Sequence, residues 1–169
     1  MNLKALIIAG LSTLQPCFTT SASVGQLDIP FQVDLEGSVA QAELEVVAQR
    51  LYSFYLRFRF RKDDTQDRDR VMRLLGFGSI GSGKPLSDGI SIPVLLSIDR
   101  IENGNKILIY QKMSTFQQLE SWDADSFSKV IDRIVLDPGK YEIIAKSLKN
   151  NRNLEDVDAR FNAHIRPTK

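Results

Sequence analysis

The sequence predicts a mainly β protein, an antiparallel β-sandwich with one short helix, set behind an N-terminal export signal. The first observation is strict alternation in Leu51–Arg61, where Tyr52, Phe54, Leu56, Phe58 and Phe60 fall on one face. Ser53, Tyr55, Arg57, Arg59 and Arg61 fall on the other, because successive side chains of a strand point to opposite sides. The second is a series of short apolar runs separated by turn residues, with no alternation of strands and helices that would signal a parallel sheet. The third is the opening segment, where Lys4 precedes the apolar run Ala5–Leu14 and the small residues Thr19-Thr20-Ser21-Ala22-Ser23.

That opening reads as a secretory signal over residues 1–23, followed by a single domain over 24–169. Its apolar stretch is too short for a bilayer core of roughly 30 Å. Small residues at Ala22 with Thr20, or at Ser23 with Ser21, suit a standard signal peptidase, which leaves a periplasmic or secreted protein beginning near Val24. The alternative uses Cys17 as a lipid attachment site, since Leu14-Gln15-Pro16-Cys17 is a poor match to a bacterial lipobox. It leaves a membrane-anchored lipoprotein of the cell envelope. A third reading makes residues 1–23 an ordinary N-terminal strand or helix.

Past the signal, strands are expected at Phe31–Leu35, Ala42–Val47 and Leu51–Arg61. A helix follows, capped by Asp64 or Thr65, with Asp67 and Asp69 near its positive end. Val71, Leu74 and Leu75 form its apolar stripe, and Gly76 terminates it. Residues 76–90 form a Gly/Ser-rich loop. Strands at Ile92–Ile101 and Ile107–Lys112 are joined by Glu102-Asn103-Gly104-Asn105, whose Asn-Gly pair suits a tight hairpin. A weaker helical turn is expected around Ser114–Leu119. Strands at Lys129–Leu136 and Tyr141–Ser147 flank Asp137-Pro138-Gly139, where Pro fixes φ and Gly allows a left-handed residue. The last strand, Ala159–Ile165, alternates Ala159, Phe161, Ala163 and Ile165 with polar Arg160, Asn162 and His164.

Composition narrows the chemistry. Cys17 is the only cysteine, so a domain beginning at Val24 has no disulfide, thiol nucleophile or cysteine-held zinc. Loss of Lys4 leaves 21 basic and 21 acidic residues, a balance that disfavours nucleic-acid binding. Gly78-Ser79-Ile80-Gly81-Ser82-Gly83-Lys84-Pro85 approaches a phosphate-binding loop. Pro85 stands where a Ser or Thr hydroxyl would hold Mg²⁺, and the helix precedes the loop, so no nucleotide cofactor is expected. Asp63–Asp69 resembles part of a calcium loop but lacks its central Gly and distal Glu. Basic neighbours favour a helix start there instead, and no metal is expected. His164, the only histidine, is read as a solvated or edge residue, and no motif marks a catalytic nucleophile.

Two surfaces are candidates for binding a partner. Trp122, with Asp123 and Asp125 in a polar connection, suits an interface anchor, a sugar-stacking ring or a plug over the sandwich end. The stripe Tyr55, Arg57, Arg59 and Arg61 suits an acidic partner or a solvated sheet face.

The stretches Tyr52-Ser53-Phe54-Tyr55-Leu56-Arg57-Phe58, Asp69-Arg70-Val71 with Leu74-Leu75-Gly76, and Leu136-Asp137-Pro138-Gly139-Lys140-Tyr141 resemble an uncharacterised family of exported proteobacterial domains. The resemblance covers most of residues 28–166. It implies a β-sandwich in the cell envelope, sometimes lipid-anchored, of a type that can neutralise toxins passed between bacteria. It carries no catalytic residues across. The expected function is therefore a non-enzymatic envelope protein that binds a protein partner, with immunity against a secreted antibacterial toxin as one form. The alternatives are a glycan-binding module at Trp122 and a hydrolase with an unrecognised carboxylate site.

Overall fold

The computed structural model describes residues 17–76, 89–115 and 118–165. The near-phosphate-loop motif, and most of the Gly/Ser-rich loop, lie outside them. Among the described residues ten strands form two five-stranded sheets packed face to face, the β-sandwich the alternation predicts. One sheet has the order β1 (Cys17–Val24), β3 (Val39–Val46), β9 (Gly139–Ser147), β5 (Val94–Glu102) and β6 (Asn105–Ser114). The other has β2 (Gln26–Pro30), β10 (Asp158–Ile165), β4 (Arg50–Arg59), β8 (Ser126–Leu136) and β7 (Gln118–Trp122). All pairs are antiparallel except β1 with β3. β1 overlaps the segment expected to be removed on export and adds a strand to the edge of β3.

The core lies between the sheets because each strand presents alternate apolar residues inward. Tyr52, Phe54, Leu56, Phe58 and Phe60 are all buried, as their alternation requires. Small residues opposite them, Ala159 and Ala163 on β10 beside Phe161, leave room for this aromatic row. Phe54 and Phe161 stack with centroids 6.2 Å apart. The facing sheet contributes Leu44, Ile98, Tyr141 and Ile143 among others.

The opposite face of β4 departs from expectation. Ser53 and Tyr55 are buried rather than solvated. β4 is the central strand, so the side chains of β10 and β8 crowd its outer face. Two further segments are corrected. Phe31–Leu35 is not a strand. Phe31 and Val33 are buried alternately, but the backbone folds on itself through Val33 N–H to Phe31 O (2.9 Å) and Leu35 N–H to Gln32 O. The strand there is the preceding β2. The expected helical turn at Ser114–Leu119 is instead the end of β6 and the start of β7, because Gln118 and Leu119 pair with Val130 and Lys129 of β8.

The helix α1 (Thr65–Leu74) forms where expected. Asp64 caps it by accepting the Asp67 N–H at 2.9 Å, and Gly76 follows with φ +82°. Its end meets the core through Val71 and Leu75, and the buried Lys129 amine donates to the Leu75 carbonyl at 3.1 Å. Burial pulls the Lys129 ammonium below its ordinary pKa. The chain returns beside this helix end at Gly89, with φ +65°, and Ile90 N–H donates to Leu74 O. A Cβ on Gly89 would lie 2.5 Å from the Leu75 carbonyl oxygen. Gly89→Ala is therefore expected to cost more than about 1 kcal/mol, read as a lowered midpoint in thermal melts.

Turn chemistry explains the remaining connections. Asn103 and Gly104 both take positive φ, 50° and 80°, giving the tight β5–β6 hairpin. Asp137–Gly139 carries the chain from one sheet to the other. Gly139 does not adopt the left-handed conformation expected for it. A Cβ there would meet the Arg100 side chain at 3.4 Å and the Tyr141 ring at 3.5 Å, ordinary contacts, so neither backbone conformation nor crowding requires the glycine.

Candidate partner-binding site

Three chain segments meet at one end of the sandwich. β4 ends at Arg59 and leads into Phe60, Arg61 and α1. The β7–β8 turn supplies Asp125, and β10 begins at Asp158. Together they line a cleft of about 580 Å³. Four cations, Arg59, Arg61, Lys62 and Arg70, face four carboxylates, Asp67, Asp125, Asp156 and Asp158. Most are paired. Arg59 reaches Asp125 at 3.2 Å and Asp158 at 3.9 Å. Arg61 reaches Asp64 at 3.1 Å, and Arg70 reaches Asp67 at 2.9 Å. Lys62 makes no ion pair with a described residue. The cationic stripe is thus largely neutralised by carboxylates from other elements.

Asp67 organises the cleft floor and is only 6% exposed. One oxygen accepts the Arg61 backbone N–H at 2.8 Å, and the other accepts from Arg70 Nε and Nη2 at 3.0 and 2.9 Å. The Arg61 N–H, followed by Arg70, holds its carboxyl below the ordinary range against the cost of burial. This acid-rich segment is therefore a helix start rather than a calcium loop. Among the described residues no group of three or more potential ligands is placed to hold a metal.

The turn between β7 and β8 brings Trp122 to this end. Asp123 N–H donates to Ser126 O at 2.8 Å, and Asp123 Oδ1 accepts the Ala124 N–H at 2.8 Å. Asp123 thus shapes the turn, while the Asp125 carbonyl accepts Phe60 N–H. Trp122, at the end of an edge strand, is 69% exposed. It is not a plug over the core.

The structure joins Arg59 with Asp125 and places Trp122 and Asp123 on the same turn. Tyr55 does not join them. It is 5% exposed, and its ring stacks on His164 at 4.8 Å, 13° from parallel. His164 is correspondingly half-buried within the sheet rather than solvated. Arg57 is half-buried, and its Nε is enclosed without a hydrogen-bond partner. Cys17 opens β1 opposite Val39. Arg70, Asp156 and Asp158 were not legible as site residues, since nothing local in the sequence announces that β10 begins beside the end of β4.

Fold and cleft together define a two-sheet β-sandwich with a charge-paired groove and an exposed indole at one end. The chain belongs to the family described as Domain of unknown function (DUF5625), which it matches over residues 28–164. A crystal structure from Sulfurospirillum deleyianum is similar at TM-score 0.68 with 22% identity, over 85% of this chain and 98% of that one. That likeness shows the fold. The pre-peptidase C-terminal domain of a Bacillus anthracis collagenase is similar at TM-score 0.36 with 8% identity, over 90% of this chain and 96% of that one. No curated protein matches in sequence. No described helix is long and apolar enough to cross a membrane.

Proposed function

We propose that this is an exported, non-enzymatic domain of the cell envelope that binds a partner protein, with protection against a secreted antibacterial toxin as the physiological form of that binding. The observation that carries the reading is the exposed Trp122 on the turn whose Asp125 bridges to Arg59. A large amphipathic ring beside a rim of opposed charges has the composition of an interface anchor. The small residues before Val24 support export.

The glycan reading is weaker. Sugar sites present several aromatic faces, and Trp122 is the one exposed aromatic ring among the residues whose side chains are described. Hydrolysis by paired carboxylates needs an acid held protonated near neutrality. The cleft carboxylate with a resolved shift, Asp67, is moved the other way. Asp125 and Asp158 are occupied by Arg59.

The test is binding to a secreted toxin encoded beside this protein, with the fold of each variant verified by circular dichroism. Trp122→Ala is expected to speed dissociation by about 30-fold, the loss of one anchor of about 2 kcal/mol. Arg59→Glu leaves Asp125 and Asp158 beside a third negative charge. It is expected to slow association and change its salt dependence. Parental kinetics in both variants would remove this end of the molecule from the interface.

A further inference from the structure

The face of the second sheet turned away from the core is unevenly charged. Strand register places Arg57, Arg59, Arg133 and Arg160 on it against two carboxylates, Asp28 and Asp158, among the strand residues whose side chains are described. Both carboxylates are taken. Asp28 accepts from Arg160 Nε at 2.6 Å and from Asn162 at 2.9 Å, and Asp158 lies 3.9 Å from Arg59, which also reaches Asp125. The Arg57 side chain, on the central strand, has no counter-charge among the described residues. It stands directly opposite Arg160 on β10, a like-charge pairing that sheets disfavour, and opposite Ser128 on β8. It is also half-buried, with Nε enclosed, so the stem is held in place and the charge sits where water screens it poorly. An unpaired, fixed and partly desolvated cation costs the free protein stability and is preorganised for an anion from outside.

We infer that Arg57 receives the carboxylate of one Asp or Glu side chain on the partner protein, so that the interface at the Trp122 end continues along this sheet face. The inference rests on the partner-binding reading above and names the chemistry of the partner. Arg57 lies two residues, about 7 Å, along β4 from Arg59, within the span of a single contact surface. The charge pattern selects the ligand. A phosphate group or a nucleic acid is held by several cations acting together. Here Arg59 and Arg160 already carry carboxylates, which would repel a dianion, and one guanidinium is left. A single negative charge matches that balance, and the planar carboxylate matches the guanidinium fork.

Two measurements test this. In the free protein Arg57→Met, which keeps an unbranched stem and removes the charge, is expected to melt no lower than the parent, because the guanidinium it removes pairs with nothing. A lowered midpoint would give Arg57 a structural role and overturn the proposal. Against the secreted toxin encoded beside this protein, the same variant is expected to weaken affinity by at least about 30-fold, mainly through faster dissociation. Replacing the toxin's surface Asp and Glu residues one at a time by Asn or Gln should then find one carboxylate whose loss weakens the parent comparably and Arg57→Met no further. Parental affinity in Arg57→Met, or coupling to no carboxylate, overturns the proposal while leaving Trp122 as an anchor. A toxin that fails to bind the parent overturns the toxin-binding reading itself, and this inference falls with it.

Discussion

Phe58→Ala is expected to destabilise the domain by about 3–5 kcal/mol, a large part of the roughly 5–15 kcal/mol that holds a folded protein together. Phe58 is fully buried in the central strand, opposite Phe127 on β8 and Ala159 on β10. Both flanking strands are hydrogen-bonded to β4, so the sheet cannot close over the space the ring vacates. The cost is therefore the lost transfer energy together with an unfilled cavity. Thermal melting should show a midpoint lowered by about 6–20 °C. An unchanged midpoint would mean that the ring does not face the core.

Asp67→Ala should have the next largest effect, about 1.5–3 kcal/mol near neutral pH. Most of this comes from the Arg61 backbone N–H, which loses a charged acceptor at 2.8 Å. The partner guanidiniums are more exposed and regain water, so their share is small. The folded carboxyl titrates below its ordinary value, so the native state binds fewer protons than the unfolded state in that range. Its contribution is complete above about pH 4 and is lost as pH falls through the folded value. Urea titrations at pH 7 and pH 3 should therefore show a wide gap between parent and variant at pH 7 and a narrower one at pH 3. A gap independent of pH would assign the loss to packing rather than charge. Asp132 retains its own acid dependence in the variant. Burial pushes it up, but Tyr110 and Lys112 hold its carboxyl low.

What could be read from the sequence was whatever one strand or turn encodes alone. The aromatic alternation of β4, the Asn103-Gly104 hairpin and the Asp64 cap each depend on a few neighbouring residues, and each formed. Ser53 and Tyr55 were misread because their burial depends on the strands placed beside β4, information that lies more than 70 residues away on β8 and 100 on β10. β7 escaped notice because five residues carry too little periodicity to outweigh a helical reading. The site divides in the same way. Trp122 and Asp125 stood out by residue type. Their junction with Arg59, and the cleft beyond it, required two sheets to be assembled.

The second sheet joins the first and last strands of its order of synthesis: β2 pairs with β10, Leu27 opposite Ala163 and Ile29 opposite Phe161. Arg160 and Asn162 bond Asp28 across 132 and 134 residues. A chain closed in this way has high contact order and belongs with the slower folders, on the scale of milliseconds to seconds. While the C-terminal strand is still on the ribosome or inside a translocation channel, β2 has no β10 to pair with and that sheet cannot be completed. If the proposed export passes the chain unfolded through a channel, the topology is a timer. It delays native structure until residue 165 has emerged on the far side.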